Sequence, residues 1–214
     1  EPPSTLPEAL AVINPKKPSC SYPFKGLAGV GVAFKLAHAL LGRVPEEFLE
    51  VVALGTIADQ VPLVDENRVI ASLGLDRLNR RRHLGLSVLM DVAGIKGDVN
   101  SNHVAFLLGP RINATGRLDS ADRAVRLLLT EDRVEARSIA EELDRMNRER
   151  QRLVETIYSE AEKQVRENPE RHRRVIVVAS EGWNIGVIGI VASRLVETYY
   201  RPAIVLGIEK ETGT

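Results

Sequence analysis

Residues 173–207 read RRVIVVASEGWNIGVIGIVASRLVETYYRPAIVLG. Behind Arg173 and Arg174, the run from Val175 to Ala179 is continuously apolar and β-branched through Val178, the pattern of a buried strand. EGWNIG (181–186) carries the glycines of a turn, 187–200 has apolar residues at helical spacing, and Ala203 to Leu206 form a second apolar run behind Pro202. A strand, a helix and a strand in this order make a βαβ unit, which implies parallel strands and a right-handed crossover. The fold class is therefore read as α/β. Two strands do not make a domain, so 169–214 is expected to be the N-terminal part of a larger α/β unit.

Immediately upstream, the character of the sequence changes. From Asp132 to Asn168 there is no Gly or Pro, and apolar residues recur at Val134, Ile139, Leu143, Met146, Leu153, Ile157, Ala161 and Val165. This is one amphipathic helix of roughly 35 residues, about 50 Å long at 1.5 Å per residue. Helices far longer than the common three or four turns tend to bridge units, so 132–168 is read as a connector. Residues 1–131 precede it as a mostly helical region. Helical patterns follow Gly29-Val30-Gly31, follow Pro45-Glu46-Glu47, and cover about 67–82, 85–94, 102–108 and 119–130. Ala9 to Ile13, closed by Asn14-Pro15, is predicted to be a short strand, and Gly109-Pro110 to open a loop.

The chain has 214 residues with 29 basic and 29 acidic side chains, so its net charge does not mark a nucleic-acid module. Of the basic residues 22 are Arg and 7 are Lys, a bias toward the side chain that grips phosphate bidentately and equally the bias of GC-rich or thermophilic coding. One cysteine excludes an internal disulfide framework and fits a reducing compartment. No apolar run approaches the roughly 18 residues of a membrane span, and Glu1-Pro2-Pro3 does not open a signal peptide.

Three segments could carry chemistry. ALGTIADQVPL sets Asp59 at the end of an apolar helical run, where a carboxylate opposes the helix dipole unless a cation is near. It is either a solvent-facing helix end or a ligand for a hard cation, and one carboxylate makes no metal site by itself. GPRINATGR brings Arg111, Asn113 and Arg117 into nine residues, two guanidiniums and an amide suited to phosphate oxygens. The alternative is a surface turn whose arginines pair with Asp119 and Asp122. EGWNIGVIGIVASR resembles a phosphate-cradling strand–loop–helix without the dinucleotide fingerprint spacing. Trp183 within it could stack on a base or pack against the sheet, and Arg194 is a weaker phosphate candidate. The four histidines lie far apart, and only His103, six residues before GPRINA, is worth keeping in view.

Six segments in order carry a resemblance: LPEALAVINP, YPFKGLAGVGVAFKL, ALGTIADQVPLVDENRVIASLGL, FLLGPRINATGRLDSADRAVRLLLTED, LDRMNRERQ and GWNIGVIGIVASRLVETYYRPAIVL. Together they resemble the RecJ single-strand exonucleases of the DHH/DHHA1 phosphoesterase superfamily. The resemblance implies that 1–131 is the C-terminal part of a DHH catalytic domain, 132–168 the connector helix, and 169–214 the N-terminal part of a DHHA1 domain. It implies that Asp59 is one carboxylate of a set holding two Mn²⁺ or Mg²⁺ ions. Arg111, Asn113 and Arg117 would line the path of single-stranded DNA.

Asn184 stands where many relatives carry His. The family's Asp-x-Asp, lone Asp and Asp-His-His motifs would lie before Glu1, and its Ser-Gly-Arg-Ser-like and Gly-Gly-His motifs after Thr214. The activity implied is 5′→3′ hydrolysis of single-stranded DNA to 5′-mononucleotides in repair and recombination, with 1–214 alone inactive. The competing activities are a phosphodiesterase of cyclic dinucleotides or short RNA, and a catalytically dead replication scaffold. A cytoplasmic monomer is expected, with a single-strand-binding protein or a helicase as candidate partners.

Overall fold

The structure is a computed structural model describing residues 5–118 and 120–208. It is mostly helical with one small parallel sheet, an α/β chain. By its internal contacts the chain divides into two compact units. The first comprises Glu1–Asn113 and Asp122–Glu142, the second Ala114–Ala121 and Leu143–Thr214. The chain thus crosses between them at 113/114, 121/122 and 142/143, and two helices contribute to both. The division does not set the long helix apart as a third piece.

The first unit is built around helix α2 (Leu49–Ala58), which is apolar on nearly every side: Leu49, Val52, Ala53, Leu54 and Ile57 are all buried. A helix apolar all round must be covered all round, and glycines let its neighbours come close. Gly55 admits Val30 of α1 (Gly29–Leu41), where a Cβ would sit 2.9 Å from a valine methyl. Gly74 of α3 (Asp65–Asn79) lies against Leu49 and Ala53 with no room for a Cβ. Helix α4 (Leu84–Val92) buries Leu86, Val88, Leu89 and Met90, and its Gly85 is pressed against the Leu127 carbonyl of α7 (Asp122–Leu129). The short helix α5 (Ser101–His103) and a π-type segment, Val104–Leu108, run into α6 (Gly109–Leu118). Asn100 and His103 form a capping box at the start of α5, which is the role the structure gives His103.

Two expectations fail in this unit. Residues 9–13 form no strand: among the described residues the Pro-flanked run has no strand to pair with, and a lone strand satisfies none of its backbone groups. GPRINATGR is helical, not a loop. Pro110 occupies the first turn, where its missing N–H costs no hydrogen bond, and Gly109 serves close packing.

Before α1, the extended segment is tied down by side chains. The Tyr22 hydroxyl donates to Glu66 Oε2 at 2.7 Å, and Lys35 pairs with the other carboxylate oxygen. Burial pushes the Glu66 carboxyl up, but the hydrogen bonds from Lys35 and Tyr22 outweigh it and leave it below the usual range. A depressed carboxyl stabilises the fold above its unfolded pKa and loses that contribution as pH falls through its folded value. Glu66→Gln is therefore expected to destabilise the chain modestly at pH 7 and less at about pH 3, the difference vanishing only below the lowered folded pKa. Urea unfolding of both proteins at the two pH values measures it; an equal loss at both would remove the ion pair from the account.

The second unit is a βαβ layer on the long helix. Strands β1 (Ile176–Glu181) and β2 (Ala203–Ile208) pair in parallel, Ile176 opposite Ala203, with α9 (Ile185–Tyr199) between them in sequence. Helix α8 (Arg133–Glu167) has 35 residues, and its C-terminal part packs Ile157, Tyr158, Ala161 and Val165 against Ile176, Val178, Val187, Val191 and Leu195. The Gln164 amide takes both backbone groups of Ala179, accepting from its N–H at 3.3 Å and donating to its carbonyl at 3.0 Å, as a neighbouring strand would. Among the described residues no helix is long and apolar enough to cross a membrane.

Candidate functional site

Asp59 caps the C-terminus of α2, its backbone N–H bonded to the Gly55 carbonyl at 3.0 Å. Its side chain is exposed and, among the described residues, has no hydrogen-bond or ion-pair partner. It lines a cavity of about 380 Å³ in the first unit. Gly29 and Val30 of α1, Gly55 and Ala58 of α2, and Gly109 and Asn113 of α6 also line it. The small residues are what bring the parts together: a Cβ on Gly109 would stand 2.9 Å from the Ala58 Cβ, so α6 starts directly against the end of α2.

The electrostatics of this cavity are mixed by construction. Ala28 gives α1 no side-chain cap, and Ala28, Gly29 and Val30 at the start of that helix line the cavity. A helix N-terminus favours an anion such as a phosphate oxygen. Asp59, at the C-terminus of α2, favours a cation. The exposed Asn113 amide adds a neutral donor. Arg111, also on α6, donates from its Nη1 to the Leu107 carbonyl at 2.7 Å.

Arg117 lies in the second unit, exposed, its Nη1 bonded to the Gly186 carbonyl at 3.1 Å. Gly186 is pressed against the Arg117 carbonyl with no room for a Cβ, so the end of α6 and the start of α9 fit backbone to backbone. Asn184, capping α9, accepts from the Gly186 N–H at 2.8 Å. The asparagine at this position therefore has a structural task of its own. Asp119, considered as an Arg117 partner, lies outside the described residues.

Two weaker candidates are committed to packing. Trp183 is 5% exposed within the core of the second unit, and its indole N–H donates to Glu160 at 2.7 Å. No ring face is left for a base, which corrects the stacking reading. Arg194 pairs with Glu155 at 2.6 Å and stacks on Tyr158 at 3.9 Å. The Arg145–Arg152 stretch, readable as a solvated helix face, contains a residue that the sequence pattern does not single out. Arg150 has a buried, unpartnered Nε, and Asn147, one turn earlier, has a buried, unpartnered Oδ1. Burial and the nearby Arg117 charge hold the Arg150 guanidinium below its ordinary pKa. The like charge of Arg117 and the unmet Arg150 Nε–H are both features that a phosphate oxygen would relieve, whereas the Asn147 oxygen, an acceptor, would need a donor.

Set beside known proteins, the chain is 55% identical over all 214 residues to the single-stranded-DNA-specific exonuclease RecJ of Bacillus subtilis (strain 168). Along its whole length the chain is similar to a stretch of the RecJ proteins. It is also 38% identical over 224 residues to RecJ of Escherichia coli (strain K12), a match covering 95% of this chain. The Mn²⁺ complex of RecJ from Thermus thermophilus superposes on 97% of the chain with a TM-score of 0.84 at 38% identity. A manganese-bound exonuclease RecJ does so with a TM-score of 0.82, covering 52% of that structure. No protein-family model matches. The chain spans 27% of the Bacillus RecJ, 39% of the Escherichia RecJ and 31% of the Thermus structure.

RecJ structures have thus been solved with manganese and with magnesium. Among the described residues of this chain, no three His, Cys, Asp or Glu side chains converge on a point that could hold an ion. Two divalent ions need several carboxylates to balance their charge. Asp59 with the neutral Asn113 does not fit a two-ion site unaided. What these residues supply is one exposed carboxylate and an anion-favouring helix end on the same cavity.

Proposed function

We propose that this chain is the part of a metal-dependent 5′→3′ single-stranded-DNA exonuclease that contributes one metal carboxylate and much of the phosphate-binding surface. The observation carrying the proposal is the 55% identity to an exonuclease RecJ over every residue, joined to a free carboxylate held open in a cavity. Residues 1–131 are read as DHH sequence, 132–168 as connector and 169–214 as DHHA1 sequence. Asp59 is one carboxylate of a two-metal set otherwise drawn from outside this sequence, and 1–214 alone is inactive. The relatives named above are single-stranded-DNA exonucleases, which favours this reading over a cyclic-dinucleotide phosphodiesterase or an inactive scaffold. A cytoplasmic, monomeric enzyme of repair and recombination, with a single-strand-binding protein or helicase as candidate partners, completes the proposal.

The residues act by position and charge. Asn113 and the uncapped first turn of α1 hold phosphate oxygens by N–H donation near Asp59. Arg117 and Arg150 bind the DNA backbone, and Arg111 shapes α6 through its bond to Leu107. Arg117→Ala and Arg150→Ala are each expected to weaken binding of single-stranded DNA. Each should also reduce the slope of log K against log salt by about 0.7, the share of one neutralised phosphate. Fluorescence anisotropy of a labelled oligonucleotide at four salt concentrations, with the longer RecJ protein, reads both. An unchanged slope in the Arg150 variant would return that side chain to a packing role. Mn²⁺-dependent release of mononucleotides by purified 1–214 would overturn the division of the metal site.

A further inference from the structure

A second polar cavity of about 300 Å³ in the first unit has an all-ionisable wall: Glu47, Glu50, Arg77, Arg80, Arg82 and His83. The local chain geometry assembles it. Arg81 takes a left-handed φ of 51° between α3 and α4, and its guanidinium bonds Asp91 Oδ1 at 2.7 Å and the Ile95 carbonyl at 3.0 Å. With the middle arginine of the three anchored there, Arg80 and Arg82 line the cavity. Both are exposed and, among the described residues, neither has a hydrogen-bond or ion-pair partner. Arg77 holds only a 3.3 Å contact to Glu46.

The acidic groups do not cancel them. Glu47 is engaged by both Arg43 Nη atoms, at 2.9 and 2.5 Å, which lowers its carboxyl to about 2. His83 accepts from the Leu86 N–H and is pushed by burial toward its neutral form. That leaves Glu50, 7% exposed, with Oε2 buried and without any partner. Burial raises its carboxyl pKa, opposed by Arg77, the His83 backbone N–H and Arg82. A buried orphan carboxylate oxygen beside unpaired guanidiniums asks for a ligand that is anionic at one edge and donates a hydrogen bond at another.

We infer that this cavity is a binding site for a phosphate group that carries its own proton, inorganic phosphate or the monoanion of a phosphomonoester end. The guanidiniums of Arg77, Arg80 and Arg82 hold its charged oxygens, and its P–OH donates to Glu50 Oε2. One proton is shared between Glu50 and the ligand, so the two anions do not repel. Sulfate, fully deprotonated at neutral pH, offers the same charge and shape but nothing to Glu50. The site is independent of Asp59 and of any nuclease activity.

Calorimetric titration of the 1–214 chain at about pH 6, where a monoester retains a proton on much of its population, tests it, with inorganic phosphate, dAMP and sulfate as probes. Phosphate is expected to bind saturably with millimolar affinity or better, and sulfate about tenfold more weakly or less. Arg80→Ala and Arg82→Ala, both surface changes, should each cost about tenfold in phosphate affinity. Glu50→Gln, which can donate from its amide, should bring sulfate level with phosphate. If dAMP competes with phosphate, the natural ligand is a monoester end; if it does not, the ligand is free phosphate, and either result supports the site. Equal binding of sulfate and phosphate by the unaltered chain, or phosphate binding indifferent to both arginine changes, would overturn it.

Discussion

Asp59→Ala, made in a complete RecJ protein carrying this sequence, is expected to cut Mn²⁺-dependent release of nucleotides from single-stranded DNA by more than about a hundredfold. Loss of even an outer-shell partner of a metal ligand costs 10–100-fold, and Asp59 is proposed as a ligand itself. Stability should move the other way. The carboxylate is exposed, unpaired and seated at a helix C-terminus, where a negative charge is unfavourable by about 0.3–1 kcal/mol. The metal-free variant should therefore unfold at the same urea concentration as its parent or slightly higher. A side chain kept for folding would lose both activity and stability; one kept for chemistry loses activity alone. Unchanged turnover would remove Asp59 from the reaction.

Gly74→Ala should be among the most damaging single-methyl additions in the first unit. Its Cβ would collide with the Leu49 carbonyl and the Ala53 side chain, and neither can give way without moving α2. Overpacking of a core ordinarily costs about 1–3 kcal/mol, and a collision with backbone belongs at or above the top of that range, about 3 kcal/mol. Gly116→Ala is the matched control. It is helical, nothing lies within 4 Å of the added methyl, and the better helix propensity of Ala should stabilise by about 0.5–1 kcal/mol. Urea unfolding followed by far-ultraviolet circular dichroism separates the two. Equal midpoints for both variants would mean that α2 is not held as tightly as the packing shows.

The same glycines explain what can be read in the sequence and what cannot. Periodicity in 132–168 points to one long helix, and the order of apolar runs in 173–207 to parallel strands about a helix, because both patterns are local. GPRINATGR misleads because Gly and Pro punctuate loops more often than they open helices. Gly109 is there for the approach of α6 to Ala58, a contact that joins residues about fifty positions apart and leaves no local mark. The run at 9–13 looks like a strand because its composition is apolar, while whether a strand lies beside it among the described residues is invisible from that window.

Asp59 is legible as a free carboxylate with a choice of roles, and the structure adds the cavity it shares with Asn113. Arg150 is hidden among surface arginines, since only the fold shows which guanidinium in a charged helix is half-buried beside Arg117. Net charge hides the same point. Equal totals of acid and base are compatible with unpaired arginines gathered where a phosphate could reach them.

Manganese binding tests the central claim most directly. Electron paramagnetic resonance titration of Mn²⁺ into a complete RecJ protein carrying this sequence should show tight sites. The isosteric Asp59→Asn variant should lose at least one of them, with its circular dichroism spectrum unchanged. Identical Mn²⁺ stoichiometry and affinity in both proteins would contradict the assignment of Asp59, and with it the part this chain is proposed to play.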